Sequence, residues 1–339
     1  MKIAFFNLTF GAVNRGAETF VLEVSQRLRR LGNKVDVISS RQPYAGRLPF
    51  LWRAYLDPHG IQVLWFTLKN LKRIFREKYD VVVPIDGGWQ PALVRIATWL
   101  YRGKMVISGQ SGMGWDDRNN LWCFPDYFVA LSASAEKWAK KAAPFAKVTH
   151  IPNGVDTNLF RPDGSVYETK LHHPIVLTVA ALVESKYIDL VIRAVARLPR
   201  TSLLICGKGQ EEGNLRKLAD ELLKGRFEMI SAKYEDLVEI YRTADVFVLT
   251  PWEREAFGVV YLEAMATGLP VVARSDETRK DLVGDAGILV RSPENSEELA
   301  EAIEAVLHKN WGDAPRNQAE KFDWDNIAQK YKDLFKRLV

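Results

Sequence analysis

Twelve short apolar runs, six on either side of a break marked by proline and glycine, constrain this chain more than any other feature. The first six lie near residues 2–7, 34–39, 80–84, 104–108, 126–131 and 147–151; the second six lie near 175–180, 201–206, 226–230, 245–249, 270–273 and 286–290. Longer amphipathic stretches fill most of the intervals. Strands that alternate with helical segments pair in parallel, through right-handed crossovers that lay helices on both faces. The expected fold is therefore α/β, with two Rossmann-like, doubly wound parallel-sheet domains. A length of 339 residues is long for one core and comfortable for two. The break, Asn158 to Pro174, holds Pro162, Gly164 and His172-His173-Pro174 and has little periodicity. It sets the expected boundaries: a first domain over 1–160, a linker over 161–174 and a second domain over 175–324. Two such sheets are expected to enclose a cleft, because open α/β sheets bind ligands beyond the carboxyl ends of their strands.

Hydrophobic residues make up 47% and charged residues 26%, the balance of an ordinary globular protein, and the longest apolar runs are far too short to span a bilayer. The opening Met1-Lys-Ile-Ala-Phe-Phe-Asn7 is apolar, but Gly11 and Arg15 follow at once, so it reads as a first strand and lacks the core of a signal peptide. A cytoplasmic location is expected. Cys123 and Cys206 stand far apart without histidines at ligand spacing, which argues against a disulfide framework and a zinc site. Charge is uneven. Up to residue 165, 23 Lys and Arg face 13 Asp and Glu, whereas the remainder carries 24 against 29. A basic first half calls for an anionic partner, either a phosphate-bearing acceptor or an acidic membrane surface. Nucleic acid is not expected, because no helix-turn-helix, zinc-finger or RRM signature accompanies the charge.

The densest chemistry follows the strand pattern Asp245-Val-Phe-Val-Leu249. After a Pro251-Trp252 loop, Glu255-Ala-Phe-Gly-Val-Val-Tyr-Leu-Glu263 runs into a helix that stops at Gly268, with Pro270 beyond. The two glutamates are eight residues apart, a little over two helical turns, so they cannot serve the same atom. Glu255 falls in the loop at the helix mouth, where Phe257, Gly258 and Val259 offer unpaired backbone N–H groups, and such a helix start attracts phosphate. On spacing alone the pair also fits a cap and a solvated face.

The neighbouring residues favour a site. Glu255-x7-Glu263 with Phe257-Gly258 between, followed by Ala264-Met-Ala-Thr-Gly-Leu-Pro-Val-Val272, resembles the donor-binding signature of the retaining GT-B glycosyltransferases, family 4 in particular. Ile151-Pro-Asn-Gly-Val-Asp156, Leu182-Val-Glu-Ser-Lys186 and Leu204-Ile-Cys-Gly-Lys-Gly209 fall in that family's order, and the resemblance covers the chain from about residue 1 to 310. It implies a GT-B fold whose last helix, 325–338, crosses back to the first domain. It implies retaining, hexosyltransferase-type transfer from a nucleotide-diphosphate sugar, with a UDP- or GDP-sugar expected, to a hydroxyl on a glycan or lipid-linked acceptor. By the same resemblance Glu263 accepts hydrogen bonds from the ribose, Glu255 contacts the donor sugar and Lys186 neutralises the leaving diphosphate, so that Glu255 and Lys186 are the expected catalytic residues. Backbone N–H groups at Phe257, Gly258 and Val259 would meet the phosphates, approached also by the first-strand loop containing Gly11 and Gly16.

Two departures from the family stand out. Ala181 occupies a position where the family carries arginine, leaving Lys208 or Arg15 as substitute cations, and Gly109-Gln110-Ser111 replaces a histidine after the fourth strand. His59 and His150 read as structural or exposed, not catalytic. Gln110, Ser111, Asp116 and Asp117, with Trp115, become the expected acceptor-side contacts. Retaining transfer in which the leaving oxygen takes the proton needs no strong general base. No metal and no resident cofactor are implied, since Asp116-Asp117 is adjacent and unaccompanied.

Three other readings compete. Gly207-Lys-Gly209-x-x-x-Gly213 suggests a dinucleotide oxidoreductase, but the spacing is one residue long and the motif comes mid-chain. A GT-B sugar-nucleotide epimerase and a non-catalytic sugar-nucleotide or carbohydrate-binding relative keep the same fold. Finally, Pro49-Phe-Leu-Trp-Arg53 and Val63-Leu-Trp-Phe66 lead into the basic stretch Leu68 to Lys78. Core packing with a solvated basic face accounts for this pattern; docking on an anionic membrane is the alternative.

Overall fold

A computed structural model describes residues 1–13, 16–252 and 255–339. The chain divides into two compact units, Met1–Asn153 with Trp324–Val339, and Gly154–Asp323. Among the described residues, the first unit holds strands β1 (Lys2–Phe6), β2 (Lys34–Ile38), β3 (Val81–Pro84), β4 (Lys104–Ser108), β5 (Tyr127–Ala130) and β6 (Val148–His150), ordered β2-β1-β3-β4-β5-β6. The second holds β7 (Ile175–Val179), β8 (Ser202–Cys206), β9 (Phe227–Ile230), β10 (Val246–Leu249), β11 (Val271–Arg274) and β12 (Gly287–Val290), ordered β12-β11-β10-β7-β8-β9. All pairings are parallel. Each strand falls on one of the twelve apolar runs.

Helices cover both faces of each sheet, so alternate side chains of one strand enter different cores. Ile3 and Phe5 of β1 pack with Phe20, Val24 and Leu28 of the helix Gly16–Arg30. Ala4 and Phe6 face the other way, toward Val63, Phe66 and Ile74 of the helix Pro58–Glu77. The first core is completed from the far end of the chain by Trp324, Ile327, Tyr331 and Phe335 of the helix Trp324–Lys336. Arg27 Nε, 2.6 Å from Asp325 Oδ1, pins that helix to the first.

In both sheets the chain leaves a central strand in one direction and returns on its other side, between β1 and β3 in the first unit and between β7 and β10 in the second. These are topological switch points, where the loops at the strand ends splay apart and leave room for a ligand.

The stretch 161–174, expected as a linker, belongs to the second unit. Its breaker residues misled because side chains hold it: Tyr167 OH donates to Glu228 Oε1 at 2.7 Å, Thr169 Oγ1 to Glu228 Oε2 at 2.5 Å, and Tyr167 N to Thr243 Oγ1 at 2.8 Å. The boundary lies earlier, at Asn153 and Gly154. The return crossing lies at Asp323, which forms a parallel bridge with Val155.

Candidate functional site

The loops after β7 and β10 flank the switch point of the second unit. The first runs through a short 3-10 turn, Glu184–Lys186, and the second enters the helix Val259–Ala266. Trp252 N donates to Ser185 O at 3.0 Å, tying loop to loop. Lys186 Nζ stands 2.6 Å from Glu255 Oε2, with about a fifth of each side chain exposed (21% and 20%). Two residues given separate catalytic roles on sequence grounds are thus brought into one ion pair that solvent reaches.

Gly258 caps the helix at φ +91°, and a Cβ there would lie 2.7 Å from the Tyr261 ring. Only glycine fits that turn. It offers no capping side chain, so the first N–H groups of the helix are left for an outside acceptor, and the positive end of the helix dipole favours an anionic one. Phe257 is buried and meets the Phe322 ring at 6.4 Å, so its side chain anchors the turn while its backbone faces the helix start.

Glu263 lies one helix surface away, 4% exposed. Tyr241 OH donates to its Oε2 at 2.8 Å, and burial pushes its carboxyl up to about 7. The two glutamates therefore have separate partners, Lys186 for Glu255 and Tyr241 for Glu263, as their spacing requires.

Sequence reasoning missed the groups that hold the Glu255 loop from beneath. Arg274 Nε donates to Pro251 O at 3.0 Å, and Arg279 Nη1 to Glu255 O at 3.4 Å, while also lying 3.0 Å from Asp276 Oδ2. Both guanidiniums are buried, and among the described residues Nε and Nη2 of Arg279 have no hydrogen-bond partner. Basic residues are ordinarily surface residues, so nothing local in the sequence marks these two, or Tyr241, as supports.

The Gly207–Gly209 pair has a packing role. A Cβ at Gly207 would stand 1.9 Å from Ala180 O and one at Gly209 2.1 Å from Leu182 O, so the loop after β8 lies directly on the backbone of the loop after β7. Lys208 between them is exposed and accepts Leu182 N at its carbonyl. Arg15, the other cation suggested in place of Ala181, lies outside the described residues.

In the first unit Gly11 and Gly16 are exposed, Gly11 at φ +84°. At Gly109, where the resemblance leads one to expect a histidine, a side chain lacks room: a Cβ there would meet the Phe128 ring at 2.7 Å and Asp117 Oδ2 at 2.9 Å. Asp117 is buried, accepts from Asn120 Nδ2, and is pushed up to about 8 by burial. Gln110 exchanges two amide hydrogen bonds with Asn153, at 3.1 and 3.0 Å, and donates to Ser108 Oγ, itself 3.0 Å from Tyr331 OH. Asp116 takes Tyr55 OH at 3.0 Å and Arg47 Nη2 at 3.1 Å, and Trp115 Nε1 donates to Arg53 O. Of the expected acceptor-side contacts, then, Ser111 is exposed, whereas Gln110, Trp115, Asp116 and Asp117 each already bind neighbours within their own unit.

The family profile described as Glycosyl transferases group 1 matches residues 165–323, and that described as Glycosyltransferase Family 4 matches 14–159. The chain is 34% identical over 325 residues to the lipopolysaccharide core biosynthesis glycosyltransferase LpsE of Rhizobium meliloti, covering 91% of this chain and 90% of that one. It is 29% identical over 205 residues to a GDP-mannose-dependent monoacylated alpha-(1-6)-phosphatidylinositol monomannoside mannosyltransferase of Corynebacterium glutamicum, a match spanning about half of each (53% and 54%). Among solved structures, it is similar to sucrose-phosphate synthase from Thermosynechococcus elongatus (TM-score 0.80, 20% identity, 99% and 98% covered) and to Anabaena HepE in complex with UDP and glucose (TM-score 0.74, 20% identity, 99% of both chains). At that identity the likeness is one of fold, the two-domain α/β GT-B fold.

Proposed function

The chain belongs to the group 1, family 4-like glycosyltransferases, and on that premise we propose that it moves a sugar from a nucleoside-diphosphate sugar to a hydroxyl on a glycan or lipid-linked acceptor, with retention of anomeric configuration. The observation that carries this reading is the Lys186–Glu255 pair at the switch point of the second unit, beside an uncapped helix start and with Glu263 buried in that helix. In our reading the diphosphate draws Lys186 away from Glu255 and takes the helix N–H groups, which frees the Glu255 carboxylate for the sugar hydroxyls. Glu263 holds the ribose. Positive charge fixed where the leaving diphosphate develops negative charge lowers the barrier, and the departing oxygen is the proton acceptor for the attacking hydroxyl.

A UDP- or GDP-sugar is the proposed donor, since GDP-mannose is named for one relative and UDP accompanies one structural neighbour. We propose no resident metal or cofactor: turnover should be unchanged by EDTA, and a loss restored by a divalent cation overturns that part. Two free thiols fit a proposed cytoplasmic setting.

The test is thermal unfolding against UDP, GDP, ADP, dTDP, NAD and their sugar conjugates. A nucleoside diphosphate at about a hundred times its dissociation constant adds roughly 2.7 kcal/mol. A shift with one diphosphate and its sugars identifies the donor, and product anomers read by NMR then decide retention and separate transfer from epimerisation. A shift with NAD alone rejects the proposal. Binding without any turnover leaves a non-catalytic relative.

A further inference from the structure

The helix Pro58–Glu77 has two apolar faces. Val63, Phe66 and Ile74 point into the core that holds Ala4 and Phe6, with Thr67 buried beside them, as an amphipathic helix requires. On the opposite side Ile61, Trp65, Leu68 and Phe75 are exposed, Trp65 to 59%. At about 100° per residue these four and Lys72 fall within a sector about 80° wide, a stripe on the order of 20 Å long. The expectation that core packing accounts for this aromatic pattern holds for Phe66 and fails for Trp65.

The preceding segment adds to the stripe. Phe50 is 91% exposed and sits at φ +67°, a left-handed conformation that a bulky residue adopts only at a cost. It is held there: Trp89 Nε1 donates to Tyr55 O, Trp115 Nε1 to Arg53 O, and Tyr55 OH to Asp116. An aromatic kept in solvent by a strained, anchored turn is a surface waiting for an apolar partner. Among the described residues, every exposed large hydrophobic other than Val166 and Trp252 belongs to the first unit.

Charge identifies the partner. From Val37 to Arg76 there are seven Arg and Lys and one acidic residue, Asp57, which is 1% exposed and caps the helix. Arg47, Arg53, Lys69, Lys72 and Arg76 are all exposed around the apolar stripe. Basic side chains framing aromatics on one helix face match a bilayer that carries anionic headgroups over acyl chains. No helix among the described residues is long and apolar enough to cross a membrane. We propose that this face of the first unit, from Phe50 through Phe75, docks on an anionic lipid surface, with Phe50 and Trp65 entering the acyl boundary and Lys69, Lys72 and Arg76 meeting the headgroups.

The test uses the full chain, cosedimented with vesicles of phosphatidylcholine alone or with phosphatidylglycerol added. Binding should be about tenfold or more stronger to the anionic vesicles and should fall as salt is raised. Phe50→Ser with Trp65→Ser should weaken it about tenfold, as should Lys69→Glu with Lys72→Glu and Arg76→Glu. Tryptophan quenching by brominated lipid should report insertion in the wild type and diminish with Trp65→Ser. Equal binding to neutral and anionic vesicles, binding to neither, or no loss in the Phe50/Trp65 variant overturns the proposal. Self-association abolished by that variant also overturns it, in favour of a second copy. The thermal midpoint and its nucleoside-diphosphate shift, read on each variant, show folding and the donor site independently of the lipid result.

Discussion

Two buried carboxyls, Glu263 and Asp117, respond to pH alike and differ in what each should do to nucleotide binding. The Glu263 carboxyl is pushed from an ordinary 4.5 to about 7, and that of Asp117 from 3.8 to about 8, both by burial. A raised value means the folded chain binds the proton more tightly than the unfolded chain. Each group's contribution therefore falls as pH climbs from about 4 toward 7 or 8, and for Glu263 the loss is roughly 3 kcal/mol above that window. Glu263→Gln should flatten the fall in melting temperature between pH 5 and 8 and weaken nucleoside-diphosphate binding about tenfold, because a carboxylate acceptor is lost. Asp117→Asn should also flatten it, and leave nucleotide binding unchanged. Melting curves and calorimetric titration across pH check both; a Glu263→Gln variant that binds nucleotide as well as wild type removes its ribose role. At Glu255, replacement by Ala should abolish transfer with the fold intact. Lys186→Ala should weaken diphosphate binding; equal affinity in that variant would sink its assignment.

At the level of elements, the central strands were legible because burial on two faces leaves mainly apolar residues in them, as in Val81–Pro84 and Ile175–Val179. Glu255, Lys186 and Glu263 were marked as candidates by motifs, and the first two lie in one ion pair. What was not legible is long-range support. Arg274 and Arg279 reach back to carbonyls 23 and 24 residues earlier, and the pull of Tyr167 and Thr169 on Glu228 spans about 60 positions. No periodicity reports such contacts, so 161–174 looked like a linker. Arg279 acts on the Glu255 loop as a positioning residue. Arg279→Ala should lower kcat by about tenfold or more with a smaller change in nucleoside-diphosphate affinity, and Arg279→Lys should restore part of kcat; a purely structural role would move both together with the melting temperature. Gly258→Ala should cost about 1–3 kcal/mol, from backbone strain and the Tyr261 contact, and should reduce phosphate binding.

For the whole molecule, the uneven charge seen in the sequence follows the units once the last helix is assigned. The first unit carries 26 Lys and Arg against 13 Asp and Glu, and the second 21 against 29. Two compact units with separate proposed ligands predict two transitions in denaturant, of which a nucleoside diphosphate raises only that of the second unit. Trp324→Ala, which empties a large buried site, should lower the other transition by about 3–5 kcal/mol. One cooperative transition shifted as a whole by nucleotide contradicts this independence.

The bridge between Val155 and Asp323 brings together the two ends of the second unit, which is an insertion within the first. A ribosome makes such a chain in an awkward order. The inserted unit has all its strands and helices as soon as Asp323 emerges, whereas the first sheet must wait, with the apolar flank of Phe20 and Val24 uncovered, for Trp324, Tyr331 and Phe335. During synthesis the part begun first is thus finished last, and the period when its core lies open to chaperones or to aggregation lasts as long as translation of the entire insertion.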